Sequence, residues 1–419
     1  MTGKEKLALA IKHENGPLLL DIGGFPTTGI HCSTLEKLRS FLGLEMHPIK
    51  IIEPMQLLGF VEDDVKEALG IQTTPLWGAD SLFGTQQTDE FKEWRTPWGQ
   101  NVLVSTEFVV STDNRGDTLI YACADTQYPA AGRMPKDGYY FDVVNRAEEF
   151  DEDIYKIEDN YEEFGPISQA SIDWLEKQAG AFKQTPDVVT GNLGSTAIGD
   201  IALVPGPQLR QPKGLRDITE WYISIISRPD ILAGIFAYST KYALENLEKM
   251  HRVLGDVIQA AYICGTDFGT QNGPFCSSEV FGNLYAPYYK QINRWIHENT
   301  TWKTFKHSCG SIEPLLQGMI DAEFDFINPV QWTAGGMDKK ELKKKHGDKV
   351  VFWGGGIDTQ KTLPFGTPQE VFNEALECCR IFGENGGYVF ATIHNIQPSV
   401  PPENIVAMAD AVRVFNGEK

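Results

Sequence analysis

Residues 302–329 read WKTFKHSCGSIEPLLQGMIDAEFDFINP, and this stretch decides the fold. A short run rich in aromatic and β-branched residues, 302–306, gives way to the polar turn His307-Ser308-Cys309-Gly310. Apolar residues then recur at helical spacing over 312–322, and a second apolar run follows at 324–329. The first run and the last read as strands buried on both faces, the middle as an amphipathic helix. A strand, a helix and a strand of these lengths form a right-handed crossover between parallel neighbours.

The same unit recurs on both sides of it. Further strands are expected at 257–263, 349–353 and 387–393, and further helices at 285–299, 339–346, 368–382 and 402–415. Thr367 followed by Pro368, with Glu370 in the first turn, is a good helix start. Pro401-Pro402-Glu403 resembles it. Alternation of this kind implies a mostly parallel sheet, as a closed (β/α)8 TIM barrel or as an open doubly wound sheet. No G-x-G-x-x-G follows a first strand, which lowers the dinucleotide-binding form of the open sheet.

The first half is less regular. Residues 16–24 look like a strand ending at Asp21-Ile22-Gly23-Gly24, with helices expected at 34–42 and 63–69 and a strand resuming at 187–190. Between them, about 86–129 turns to β alternation, with 101–110 and 118–123 as a hairpin or small sheet. The acidic stretch 146–164 reads as a solvated helix and loop. No linker is evident, so the expectation is an α/β protein with one barrel domain, 1–419, carrying a β-rich insertion in its N-terminal half.

Bulk properties narrow the function. The 419 residues are 42% hydrophobic and 22% charged, enough for a large core, and the formal net charge is −20. That charge argues against nucleic acid as a partner, which calls for a basic patch, and against docking on anionic lipid. No uncharged apolar stretch approaches the roughly 20 residues that cross a bilayer. Seven cysteines without a secreted-domain spacing favour a reducing compartment, so a cytoplasmic location is expected.

Catalytic groups of a (β/α)8 barrel gather where its strands end at the carboxyl face. The strand ends here supply Asp21, Asn192, Asp267, His307 with Cys309, Asn328 with Gln331, Asp358 after three glycines, and His394 with Asn395. Residues two apart in an extended segment point the same way, so the His307 imidazole and the Cys309 thiolate suit one metal ion. A buried histidine beside a buried cysteine is the plain alternative, and a third donor from a later strand, for which His394 is available, would separate the two. Asp267 suits a further metal ligand, a group orienting a ligand, or a general base, and equally a turn cap. Asp358 suits catalysis or simply the end of a turn. Asp21, Asn328, Gln331 and Trp353 are candidates to bind substrate, and Trp77, Trp332 and Trp353 to form an aromatic wall.

These residues carry a resemblance. His307-Ser308-Cys309-Gly310, Asp325-Phe326-Ile327-Asn328-Pro329, Phe352-Trp353-Gly354-Gly355-Gly356-Ile357-Asp358 and Pro401-Pro402-Glu403-Asn404-Ile405 are similar to the uroporphyrinogen decarboxylase superfamily. The likeness is to its zinc-dependent, corrinoid-linked methyltransferase branch. In the methylcobamide:coenzyme M methyltransferases of that branch, zinc is held by an H-x-C pair and a cysteine nine residues before the glutamate of P-x-E-N. The resemblance therefore implies zinc on His307 and Cys309, and counting back nine from Glu403 puts His394 in the third place. Cys378 and Cys379, adjacent in the middle of a helix, read as helix packing.

Replacing a thiolate by an imidazole raises the formal charge at zinc from zero to +1. A more positive zinc is a stronger Lewis acid and makes a bound thiolate less nucleophilic. The resemblance with this departure thus implies methyl transfer from a small methylated, preferably methoxylated, molecule to the cob(I)alamin of a separate corrinoid protein. Transfer to a thiol and a lyase reaction on the same barrel are the alternatives. No D-x-H-x-x-G corrinoid motif is present, so the corrinoid is expected on a partner. The decarboxylase itself fits poorly, because 21–30 holds no arginine or lysine to grip porphyrin carboxylates.

Overall fold

The computed structural model describes residues 1–194 and 196–418. Seven strands form one curled parallel sheet: β1 (Thr73–Trp77), β2 (Val188–Asn192), β3 (Ala260–Cys264), β4 (Lys303–His307), β5 (Phe326–Asn328), β6 (Val351–Trp353) and β7 (Tyr388–Val389). Each is hydrogen-bonded to its neighbour in chain order. The two edges approach one segment: Phe390 N donates to Leu19 O and Asp21 N to Phe390 O, while Gln72 N donates to Leu20 O. The stretch expected as the first strand therefore lies at the seam, with Leu20 as an isolated bridge to Phe390.

Period-2 alternation explains what fills the curl. Val188, Ala260, Phe305, Phe326, Val351, Trp353 and Val389 form one buried cluster. Phe305 stacks on Phe25 at 3.9 Å, and Trp353 meets both rings edge-on at 5.4 Å. Leu7 and Ala10, from the helix Gly3–Ile11, complete this cluster. Lys4 N bonds to Pro186 O, just ahead of β2, so this helix covers the amino-terminal end. A larger apolar cluster fills the space between strands and outer helices.

Helices Ala286–Asn299, Glu313–Asp321, Lys339–His346, Pro368–Gly383 and Pro402–Phe415 match the expected ones. Thr367 and Glu370 form the reciprocal cap, whereas Pro402 starts its helix with no side-chain cap. The sequence reading passed over the longest helix, Pro229–Leu254, and over Gln169–Phe182 and Ile218–Ser227. The acidic stretch 146–164 forms turns and one short 3-10 segment, Ile157–Asn160, not the expected helix. It is tied down by Arg216, 1% exposed, whose guanidinium holds both oxygens of Glu163 at 2.7 and 2.9 Å.

The β-rich part is wider than expected and paired differently. Ile49–Glu53, Leu58–Gly59, Phe91–Arg95 and Asn101–Ser105 form one four-stranded sheet. Val110–Thr112, Thr118–Ile120, Gly132–Met134 and Asp142–Val143 form another. Residues 101–105 pair with 91–95 rather than with 118–123, because Thr96-Pro97-Trp98-Gly99 makes a tight turn with Gly99 at φ +87°. Strand 49–53 escaped the sequence reading because prolines at 48 and 54 fence a run of only five residues.

His31, whose N donates to Ile396 O beyond β7, ties both sheets to the main body. Its Nδ1 accepts from Ser33 N as the cap of helix Cys32–Phe41, so Nε2 carries the proton and donates to Tyr139 O at 2.9 Å. Trp98 packs on His31 at 5.4 Å and on Tyr139 at 5.0 Å. Burial holds the imidazole down to about 4. A base whose pKa falls on folding is protonated more readily in the unfolded chain, so stability is full above about pH 6.5 and drains away towards pH 4. This one residue should cost about 3 kcal/mol over that range. Urea titrations of wild type and His31→Gln at pH 7 and pH 4.5 check this: the pH-dependent loss should shrink in the variant.

Candidate metal centre

β4 ends at His307, two residues above Phe305, so the same alternation that buries the phenylalanine lifts the imidazole to the carboxyl end. Its Nδ1 lies 2.6 Å from Asn328 Oδ1, and Asn328 Nδ2 donates to Trp353 O at 2.9 Å. Since the amide nitrogen is spent on a carbonyl, Oδ1 is the acceptor and Nδ1 of His307 holds the proton. The Nε2 lone pair is left free, the arrangement a metal-binding histidine needs.

Nε2 faces Cys309 Sγ at 3.4 Å and Asp267 Oδ1 at 3.6 Å. Among the described residues, the donor atoms of Asp267, His307 and Cys309 all lie within 4.8 Å of one another. Tetrahedral angles with Zn–S of about 2.3 Å and Zn–N or Zn–O of about 2.0–2.2 Å require donor separations of about 3.5 Å. The triad fits zinc. Its electrostatics agree: burial holds the His307 imidazole below its usual value and therefore neutral. Burial and the Asp267 carboxylate together push the Cys309 thiol well up, so a thiolate here calls for a cation beside it.

Backbone contacts fix the two loops that carry these donors. Cys309 N donates to Asp267 Oδ1 at 2.6 Å, Phe268 N to Ser308 Oγ at 2.9 Å, and Ser311 N to Thr270 O at 2.7 Å. Gly310, at φ +85°, lies so close that a Cβ would stand 2.4 Å from the carbonyl carbon of Gly269. Lys306, fully buried, donates to Thr266 O at 2.7 Å and lies over the Phe268 and Tyr289 rings. Its place between Phe305 and His307 was the only sequence signal for it.

The triad opens onto a cavity of about 460 Å³. His394, an exposed residue, lines it, and the surrounding protein holds its imidazole below the usual value. His394 shares the cavity but stands outside the set of mutually close donors; Asp267 is the residue that joins the pair. Asn192 and Trp77 also line the cavity, as do Asp200 and Tyr262, which the sequence reading did not single out.

The four expected substrate binders do not line the cavity. Asp21 is wholly buried, bonded to Thr73, Gly24 and the Trp353 indole, because its strand lies in the seam and its side chain turns into the packed interior. Asn328 orients His307, and Gln331 Oε1 accepts from Gly310 N at 2.7 Å. Asp358 is likewise outside the cavity, its carboxylate accepting from Gln360 N and Lys361 N, so it ends a turn. Cys378 and Cys379 are buried on their helix, as expected.

His307→Ala or Cys309→Ala should remove zinc, and Asn328→Ala should weaken it about 10- to 100-fold through the lost tautomer control, measured by competition with a chromophoric chelator. Because the thiol proton must leave, affinity should rise with pH across the neutral range. Gly310→Ala should lower the urea midpoint and zinc content together, since the added methyl meets backbone that cannot yield.

Residues 209–415 match the family model described as uroporphyrinogen decarboxylase (URO-D). Uroporphyrinogen decarboxylase of Coxiella burnetii is 28% identical over 101 residues, 24% of this chain and 26% of that protein. The enzyme of Serratia proteamaculans is 30% identical over 103 residues, 25% of this chain and 27% of that protein. The chain thus spans about a quarter of the length of the curated relatives it matches. A methyltransferase from Methanosarcina mazei shares the fold at a TM-score of 0.54 and 15% identity, over 99% of each chain. Among the described residues no helix is long and apolar enough to cross a membrane. The decarboxylase pattern thus runs through strands β3 to β7 and the helices between them, just under half of the chain.

Proposed function

We propose that this protein is a zinc-dependent methyltransferase, an O-demethylase, that moves a methyl group from a small methoxylated molecule to the cob(I)alamin of a separate corrinoid protein. The proposal includes a single (β/α)8 domain over 1–419, the seam segment being its eighth strand, and a cytoplasmic setting. The observation that carries it is the convergence of His307, Cys309 and Asp267 at tetrahedral spacing on an open cavity. Three protein donors leave a further coordination position for a ligand. His394, lining the same cavity, is proposed as an additional donor, the ligand then entering as a fifth.

Bound there, zinc would supply Lewis-acid polarisation of the heteroatom bearing the methyl group. The chain's own residues do the rest. Asn328 holds the His307 tautomer, Gln331 and Gly269 hold the Cys309 turn, and the walls exclude water from the ligand. Among the described residues that line the cavity there is no lysine or arginine, which argues against a porphyrin polycarboxylate as substrate.

Asp267 favours a second reading. With one thiolate and one carboxylate, zinc is formally neutral rather than +1, and a neutral zinc leaves a bound thiolate more nucleophilic. Methyl transfer from a methylcorrinoid to a thiol is therefore the alternative direction. Methyl transfer to cob(I)alamin with methoxy, methylamine and methylthio donors tests the first reading, with methylcobalamin plus a thiol as the reverse arm. A methoxy donor should support transfer, and His307→Ala and Cys309→Ala should abolish it. Stoichiometric zinc with no transfer from any donor would defeat the demethylase proposal.

A further inference from the structure

Tyr262 is the last inward residue of β3, since Cys264 falls in the outer cluster. Its ring belongs to the packed floor, stacked with Phe305 at 5.7 Å and tilted on Phe25 at 5.8 Å, directly below the level of His307. The residue also lines the cavity. After Tyr262 the pairing with β4 slips by a residue, so the chain bends away and Gly265 crosses above the phenol. A Cβ on Gly265 would stand 2.4 Å from Tyr262 Oη and 2.8 Å from Asp200 Oδ2. The glycine keeps both oxygens uncovered.

The two oxygens differ in what they have left to offer. Asp200 spends its carboxyl on Ala202 N at 3.1 Å and Gly265 N at 3.0 Å. Among the described residues the Tyr262 hydroxyl has no hydrogen-bond partner at all. A phenol at the cavity floor with no protein acceptor is free to donate to whatever fills the cavity. Burial, with the charges of Asp200 and Asp267, keeps this phenol protonated and therefore a donor.

The surroundings state what kind of acceptor fits. The cavity-lining residues include Glu53, Asp80 and Asp200, each pushed up by burial, and no lysine or arginine among those described. A carboxylate or phosphate finds no cationic side chain there, and a zinc already neutralised by the Cys309 thiolate and the Asp267 carboxylate offers it little. The neutral side chains Trp77, Met55 and Leu82 offer an apolar wall instead. We propose that the Tyr262 hydroxyl donates a hydrogen bond to an oxygen of an uncharged, largely apolar ligand, and so sets which molecules the cavity accepts. This deepens the demethylase reading, on which it rests for taking the cavity as the substrate site.

Calorimetric titration of zinc-loaded protein tests it with two ligand pairs. Anisole and ethylbenzene differ by an oxygen in place of a methylene; 4-methoxybenzyl alcohol and 4-methoxybenzoate differ in charge. Wild type should prefer anisole, and Tyr262→Phe should reduce that preference about tenfold at unchanged zinc content. Gly265→Ala, which covers the hydroxyl, should do the same if the phenylalanine variant fails to fold. The alcohol should bind more tightly than the benzoate. An unchanged preference in both variants, tighter benzoate binding, or no binding of either neutral ligand by wild type would overturn the inference. Methyl transfer measured in parallel separates the two proposals. Transfer with the preference intact in the variants overturns only the role of Tyr262, and loss of preference without any transfer overturns only the demethylase reading.

Discussion

The hydrogen bond between His307 and Asn328 is the contact on which the site depends, because it joins two strand ends and sets the proton of an imidazole at once. Asn328 can play that part only because its amide nitrogen is already committed to the Trp353 carbonyl. Three consecutive strands, β4 to β6, thus deliver one lone pair in one direction. The strands are held in register by the rings beneath them, Phe305, Phe326 and Trp353, so the precision of the metal donors is inherited from apolar packing.

The regular half of the chain was legible because alternation and helix caps repeat there. The H-x-C pair was legible too, since residues two apart at a strand end share a direction. The third donor was less so. Counting along the sequence pointed to His394, while space brings in Asp267 from the end of another strand; the backbone contact of Gly269 with Gly310 that draws the two loops together has no one-dimensional signature. The sequence reading took the polar residues at strand ends as one group. Which of them face the cavity, and which stand behind those that do, depends on the depth of the interior layer. That depth is set by ring sizes in three dimensions.

The β-rich portion was legible only as β. Its pairing turned on the Thr96–Gly99 turn and on a five-residue strand between prolines, both short enough to be hidden among neighbours. The helix Pro229–Leu254 was missed for the opposite reason. Its apolar residues are spread among charged ones over many turns and stand far from any motif that drew the eye.

The contact between Gly269 and Gly310 has one more consequence. Two backbones touching without side chains behave as a single rigid frame, and the donors are merely hung from it. A histidine, cysteine or aspartate can be exchanged at a hanging position while the frame keeps its shape, whereas neither glycine can be exchanged without prising the loops apart. The architecture therefore separates what can diverge, the donor set and the charge it would confer on a metal, from what must persist.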